Sequence, residues 1–197
     1  MKLDLVHDIQ SSYRKTLNCM ARPGIIENIK EESEKIDIDV NFYKSTMVLM
    51  LMLLDGEVSY KIITDKEEEV INVVNQMTFS NSAGTKDADF IFILRDASPE
   101  VVEGAFRNAK TGDLVNPHKS AIIIFETDGL SNEQELALIG PGIEHTNYVK
   151  IQTKASWIQE RDKINVEYPI GIDFIFTDSS SNIMCLPRTT QVSKQVV

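Results

Sequence analysis

The groups best suited to hold a charged ligand stand directly behind an apolar run. In IMCLPRTTQV, residues 183–192, Pro187 is followed at once by Arg188, Thr189 and Thr190. A guanidinium carries five N–H donors in a planar fork that matches carboxylate, phosphate or phosphonate oxygens, and the two hydroxyls could add donors beside it. Upstream, Asp173 is the only charge inside the strand-like GIDFIF, residues 171–176. A carboxylate in such a strand needs a partner, because an unpaired buried charge costs several kcal/mol. The linking DSSSN, residues 178–182, is short enough for a hairpin. A loop of Asp178–Asn182 sets Thr177 opposite Ile183 and Asp173 opposite Pro187, whereas a loop starting at Ser179 sets Asp173 opposite Arg188. Either register makes Asp173 and Arg188 neighbours, facing or diagonal. Two readings stay open: an ion pair that pins the hairpin, or an aspartate that aims Arg188 at an anion pocket. Pro187 has no N–H to give, which places the strand at a sheet edge or at its own end, and an edge can receive a partner subunit.

Other candidates are weaker. ALIGPGIEHT, residues 137–146, sets Gly140 and Gly142 around a proline. Such a loop can turn backbone N–H groups toward an anion, but it lacks the GxxxxGK[ST] pattern of a phosphate loop, and a plain tight turn is the favoured reading. In MARPG, residues 20–24, Arg22 falls at a helix C-terminus, where the dipole favours a cation, and Arg14 lies two turns earlier on the same side. His7, His118 and His145 are scattered and Cys19 and Cys185 lie far apart, so no metal site, CxxC pair, GxGxxG fingerprint or catalytic triad can be assembled. His118 has no nucleophile or orienting acid beside it. The two cysteines are expected as free buried thiols.

These residues need elements to position them. Asp8 can cap a first helix whose apolar face is Ile9, Tyr13, Leu17 and Met20, with Arg22-Pro23-Gly24 ending it. A strand follows at 25–29, and the charged EESEKIDIDV, residues 31–40, reads as a surface loop. A buried helix covers Tyr43–Leu54, a half-exposed strand carries Val58, Tyr60 and Ile62, and a helix spans Lys66–Met77. Asp89–Leu94 reads as a central strand, Ser98-Pro99 opens a helix to about Lys110, and Ala121–Phe125 is another buried strand. Asp128-Gly129 turns the chain into a returning strand, Glu135–Ile139, before a helix over Lys154–Lys163 with Trp157 inward. The pattern is α/β: a single domain over 1–197, its core at about 6–192, with a mixed sheet flanked by helices. A net charge of −10 argues against a nucleic-acid footprint, and the longest apolar run, Met47–Leu54, is too short to span a bilayer. MKLDLVHDIQ does not read as a signal peptide, so a cytoplasmic protein is expected.

YRKTLNCMARPG, LIGPGI, YPIGIDFIF and LPRTTQV, in this order and at these distances, resemble the PhnH family from about Val6 to Val192. That family is one component of the bacterial carbon–phosphorus lyase core complex. Two departures stand out: Tyr13-Arg14 where the family commonly has phenylalanine before the arginine, and Pro117-His118 where Pro-Glu is frequent. The resemblance implies a fold similar to the large domain of type I pyridoxal-phosphate transferases but with no cofactor. It implies homodimers associated with the G, I and J subunits of the complex. It also implies a part in the step in which a phosphonate displaces adenine from ATP, leaving a ribosyl phosphonate triphosphate. Iron–sulfur cleavage of the C–P bond belongs to the J subunit, and the glycosyl transfer is best placed in the I subunit. The PhnH component is then a non-catalytic or co-catalytic partner that could touch ATP or phosphonate. The alternatives are a free-standing transferase of the pyridoxal-phosphate fold, for which no lysine stands in a recognisable context, and a nucleotide or phosphonate binding module centred on Arg188.

Overall fold

A computed structural model describes residues 2–195. Its centre is a seven-stranded mixed sheet. Four parallel strands lie side by side in the order β2 (Ser59–Ile63), β4 (Phe90–Ile93), β5 (Ile122–Thr127) and β8 (Asp173–Asp178). The two-residue β3 (Asn81–Ser82) flanks β2 in parallel. On the other side β9 (Asn182–Leu186) runs antiparallel to β8, and β1 (Ile26–Asn28) closes that edge against β9. The interior strands are continuous apolar runs because both of their faces are covered. Alternate residues divide between two cores: Ile91, Ile93, Phe174 and Phe176 enter one, Phe92 and Ile175 the other.

The first core is closed by α5 (Pro99–Asn108), α6 (Ile158–Ile164) and a three-stranded antiparallel sheet of β6 (Gly129–Ile139), β7 (Asn147–Gln152) and β10 (Gln191–Lys194). Trp157, Phe174, Phe176, Phe125 and Phe106 form its aromatic spine, with ring centroids 5.1 to 6.1 Å apart along it. The second core lies under α1 (His7–Ala21), α2 (Lys30–Glu34), α3 (Lys44–Leu53) and α4 (Glu67–Thr78). Cys19 and Cys185 sit there, free and fully buried. No helix among the described residues is long and apolar enough to cross a membrane.

Several expectations are corrected. The returning strand Glu135–Ile139 is the end of the longer β6, which pairs with β7 and β10 and leaves the main sheet altogether. The charged 31–40 segment is not all loop: α2 begins it, with Glu32, Ser33 and Ile36 buried and Glu32 bound by Ser11 and Lys15. β2 keeps its expected alternation, Tyr60 and Ile62 fully buried and Ser59 and Lys61 half-buried, although it has neighbours on both sides. Helix α1 turns the other way from its apolar periodicity: it buries Ser12, Thr16 and Cys19 against β9 and exposes Tyr13 and Leu17. Its start is held by Asp4 rather than Asp8, through the backbone N–H groups of Val6 and His7. Pro187 does not mark an edge strand, because β1 lies outside β9; it marks the end of β9 at Leu186.

Candidate functional site

The β8–β9 turn is built by Asp178, whose carboxylate accepts the backbone N–H groups of Ser180 and Asn182. This fixes the register: Thr177 faces Ile183 and Phe174 faces Leu186, so Asp173 lies opposite Pro187 and diagonal to Arg188. Arg188 reaches back across that diagonal. Its backbone N–H donates to Asp173 Oδ1 at 2.6 Å, Nε to Oδ1 at 3.2 Å and Nη2 to Oδ2 at 2.5 Å. Nη1 donates to the carbonyls of Pro117 (3.0 Å) and Pro169 (3.3 Å), and Nη2 also to Ser120 Oγ. All five guanidinium N–H groups are therefore engaged within the chain. Arg188 ties together the end of β9, the start of β8, the 117–120 turn and the 168–169 loop.

The other motifs meet at the same place. A Cβ on Gly142 (φ +82°) would stand 2.1 Å from the carbonyl oxygen of Ala21, so the GPG turn presses directly on the end of α1. At Gly140 the closest neighbour is the carbonyl of Thr189, 3.0 Å from where a Cβ would be. The glycines serve close backbone approach. ARPG, GPG, YP and PRT together frame an open cavity of about 600 Å³, four of whose lining residues are prolines: Pro117, Pro141, Pro169 and Pro187. His118, Tyr168 and Thr189 also line it.

The expected site residues thus separate. Asp173, Arg188, Thr189 and Gly142 share the cavity wall, and Gly140 packs behind Thr189. Thr190 is buried, and its hydroxyl has no hydrogen-bond partner among the described residues. Arg14 and Arg22 are exposed and do not line the cavity. Asp173 is the first residue of β8 and pairs with Ile122, the first of β5, so this assembly lies at the amino ends of the parallel strands.

One residue was not foreseen. Arg161 of α6 is buried, and its Nη2 donates to the carbonyls of Pro187 (2.7 Å) and Thr190 (2.8 Å). It clamps the PRTT turn from behind. Burial depresses its pKa to about 10, only partly opposed by Asp162, 3.7 Å from Nη1. In sequence Arg161 sits in the charged QERDK and reads as solvent-facing. Its one signal is the i, i+4 spacing from Trp157, which shares its helix face.

The family model for the bacterial phosphonate metabolism protein PhnH matches residues 3–193. The chain belongs to the PhnH family. A curated relative from Rhizobium meliloti (strain 1021), named alpha-D-ribose 1-methylphosphonate 5-triphosphate synthase subunit PhnH, is 26% identical over 203 residues, covering 98% of this chain and 94% of the relative. The PhnH match includes all four motifs that frame the cavity.

Proposed function

We propose that this PhnH chain is a non-catalytic or co-catalytic subunit of a carbon–phosphorus lyase core complex, supporting the transfer of the ribosyl triphosphate group of ATP to a phosphonate. The observation that carries the reading is the end-to-end match to a relative named as a synthase subunit. The site's chemistry agrees. Arg188, the most reactive-looking group of the motifs, spends every donor on its own fold, and no serine, cysteine or lysine lines the cavity as a nucleophile. What the cavity offers is a rigid, proline-walled rim with Tyr168 76% exposed, and exposed Leu17, Val115, Ile139 and Val166 lie on the segments that lead into it. That is the make-up of a subunit contact. In this reading the chain is one cytoplasmic domain, forms homodimers and associates with the G, I and J subunits. The mixed sheet flanked by helices is compatible with the large domain of type I pyridoxal-phosphate transferases. A working pyridoxal-phosphate site at this cavity is disfavoured by its lack of a lysine and by the commitment of Asp173 to Arg188.

The test is co-expression with the G, I and J subunits followed by affinity capture. The wild type co-purifies with them, and the pair Leu17→Asp and Tyr168→Asp weakens capture without lowering the melting temperature. The isolated chain releases no adenine from ATP and methylphosphonate. Robust adenine release by the isolated chain, or a failure to associate with any of the three subunits, defeats the proposal.

A further inference from the structure

Helix α1 is built inside out. Its inward face carries the small polar Ser12 and Thr16 beside Cys19, and its outward face leaves Tyr13 and Leu17 each 53% exposed. A helix that only had to cover a core would turn its large apolar residues inward. Tyr13, Leu17 and Ala21 follow at i, i+4 and i+8, so they stand in one row along the helix, and Ala21 is exposed as well. The row ends at the proline-walled cavity, whose wall Ala21 shares with Pro141 and Gly142.

Two arginines without carboxylates bracket this row. Arg14 and Arg22 are exposed, and neither makes a hydrogen bond or an ion pair with any described residue. The lysines of α1 and α2, with Lys35 just past α2, are matched: Lys15 with Glu32 at 2.8 Å, Lys30 with Glu34 at 3.7 Å and Lys35 with Asp8 at 2.6 Å. Glu27 reaches α1 only through the Asn18 amide, at 2.7 Å. Eight residues at 1.5 Å each set Arg14 and Arg22 roughly 12 Å apart along the axis. In a chain of net charge −10, two unmatched cations about an exposed apolar row are a local feature of opposite sign.

We propose that the outward face of α1 seats an acidic, amphipathic helix of a partner subunit. A row at i, i+4 and i+8 is the ridge that fits between the ridges of another helix. The ridge tapers from tyrosine through leucine to alanine, so the partner's axis comes closest at Ala21, beside the cavity. The partner's apolar stripe covers Tyr13 and Leu17, and two of its carboxylates, about two turns apart, face Arg14 and Arg22. A second copy of α1 is a poor occupant, because twofold packing of this face on itself brings four arginines together with no carboxylate. A membrane is a poor one too, since anionic lipid repels a chain of this net charge. The proposal rests on the subunit reading and adds to it which face is used and what chemistry the partner brings.

The experiment uses the full chain co-expressed with the G, I and J subunits and captured through a tag on each of them in turn. Arg14→Glu with Arg22→Glu lowers the captured amount at least about tenfold and leaves the melting temperature of the isolated chain unchanged, because both side chains are exposed. Lys86→Glu with Lys154→Glu, the same charge change on exposed lysines outside α1, keeps capture within about twofold. Arg14→Lys and Arg22→Lys keep the charge and supply an amine, which a zero-length carbodiimide joins to a contacting carboxylate. The cross-linked peptide, read by mass spectrometry, comes from a partner subunit and carries its acidic residues at helical spacing. Equal capture of the Arg14→Glu/Arg22→Glu and Lys86→Glu/Lys154→Glu variants overturns the proposal and leaves the subunit reading standing, whereas failure of the wild type to associate at all removes both. A cross-link to another copy of this chain, or none between chains, also overturns it. So does co-sedimentation of the isolated chain with phosphatidylserine vesicles that is lost in the Arg14→Glu/Arg22→Glu variant.

Discussion

Replacing Asp173 with asparagine separates the charge of this residue from its shape. The amide keeps one oxygen that can still accept the Arg188 backbone N–H, but the guanidinium is left among neutral acceptors only: two carbonyls, a serine hydroxyl and the new amide. The two side chains are 17% and 15% exposed, so water replaces little of the lost interaction. Breaking a buried pair in this way costs about 3 kcal/mol, the lower end of the range for buried pairs. In a chain of this length about 3 kcal/mol lowers the melting temperature by roughly 6–12 °C. Urea unfolding followed by circular dichroism gives the free energy directly. Arg188→Met alone carries a similar loss, because it strands the carboxylate. The double variant loses less than the sum of the singles, with a coupling of about 2 kcal/mol or more. If Asp173→Asn stays within about 0.5 kcal/mol of the wild type, or the double variant is additive, the pair behaves like an exposed surface bridge and the account of the hairpin is wrong.

Three further predictions follow from neighbouring contacts. Gly142→Ala combines a left-handed backbone with a methyl group driven onto the Ala21 carbonyl, so it destabilises by about 2 kcal/mol or more and lowers the thermal midpoint. Arg161→Met relieves a desolvated charge but leaves the Pro187 and Thr190 carbonyls without their donor; the lost bonds outweigh the relief, and hydrogen exchange of the 188–192 amides speeds up by tenfold or more, read by mass spectrometry. The third concerns Glu160, whose carboxyl is held down to about 2, first by its hydrogen bond from Arg107 and then by that from Lys163, against an ordinary 4.5. A depressed carboxyl stabilises the fold above its unfolded value and loses that contribution as pH falls from about 4.5 to about 2. Glu160→Gln therefore flattens the stability curve in that window while leaving its shape above pH 6 unchanged.

The hairpin was legible because strand pairing is nearly digital. A period of two and a five-residue loop leave only two registers, and a lone charge in an apolar strand demands a neighbour. The first helix was misread for an equally physical reason. Periodicity assumes that the apolar stripe faces inward, but Ser12 and Thr16 return their hydroxyls to the carbonyls of Asp8 and Ser12, at 3.0 and 2.9 Å. Their polarity is thus spent inside the helix, and their small volume lets α1 lie close on β9, where the Cys19 thiol reaches the Ile183 carbonyl and the Cys185 thiol that of Thr16. Tyr13 and Leu17 are left outside, as an assembly surface would require. The three-stranded sheet was hidden because β6 carries the polar stretch Asn132–Glu135 in its middle, where its pairing with β7 also shifts register between Ser131 and Leu136. Glu126, whose carboxylate accepts the Tyr43 and Arg95 N–H groups, and Arg161 were invisible because no local pattern announces a buried charge whose partners are backbone groups from distant segments.

Arg188 and Arg95 show why donor accounting says more than residue type. Both stand just past a β-strand, and both have the planar fork that fits an oxyanion. Arg188 closes all five N–H groups on Asp173, Ser120 and two proline carbonyls, so an anion arriving there would have to displace contacts that hold four segments together. The remaining polar side chains at that cavity are His118, Tyr168 and Thr189 on its wall, and Arg22 is exposed outside it. Arg95 is fixed only through its backbone, by Glu126, and its guanidinium rests on Tyr43 without a carboxylate. The free energy of an anion contact is the difference between new bonds and those given up, so an anion would engage Arg188 only at the expense of the contacts that hold its four segments together.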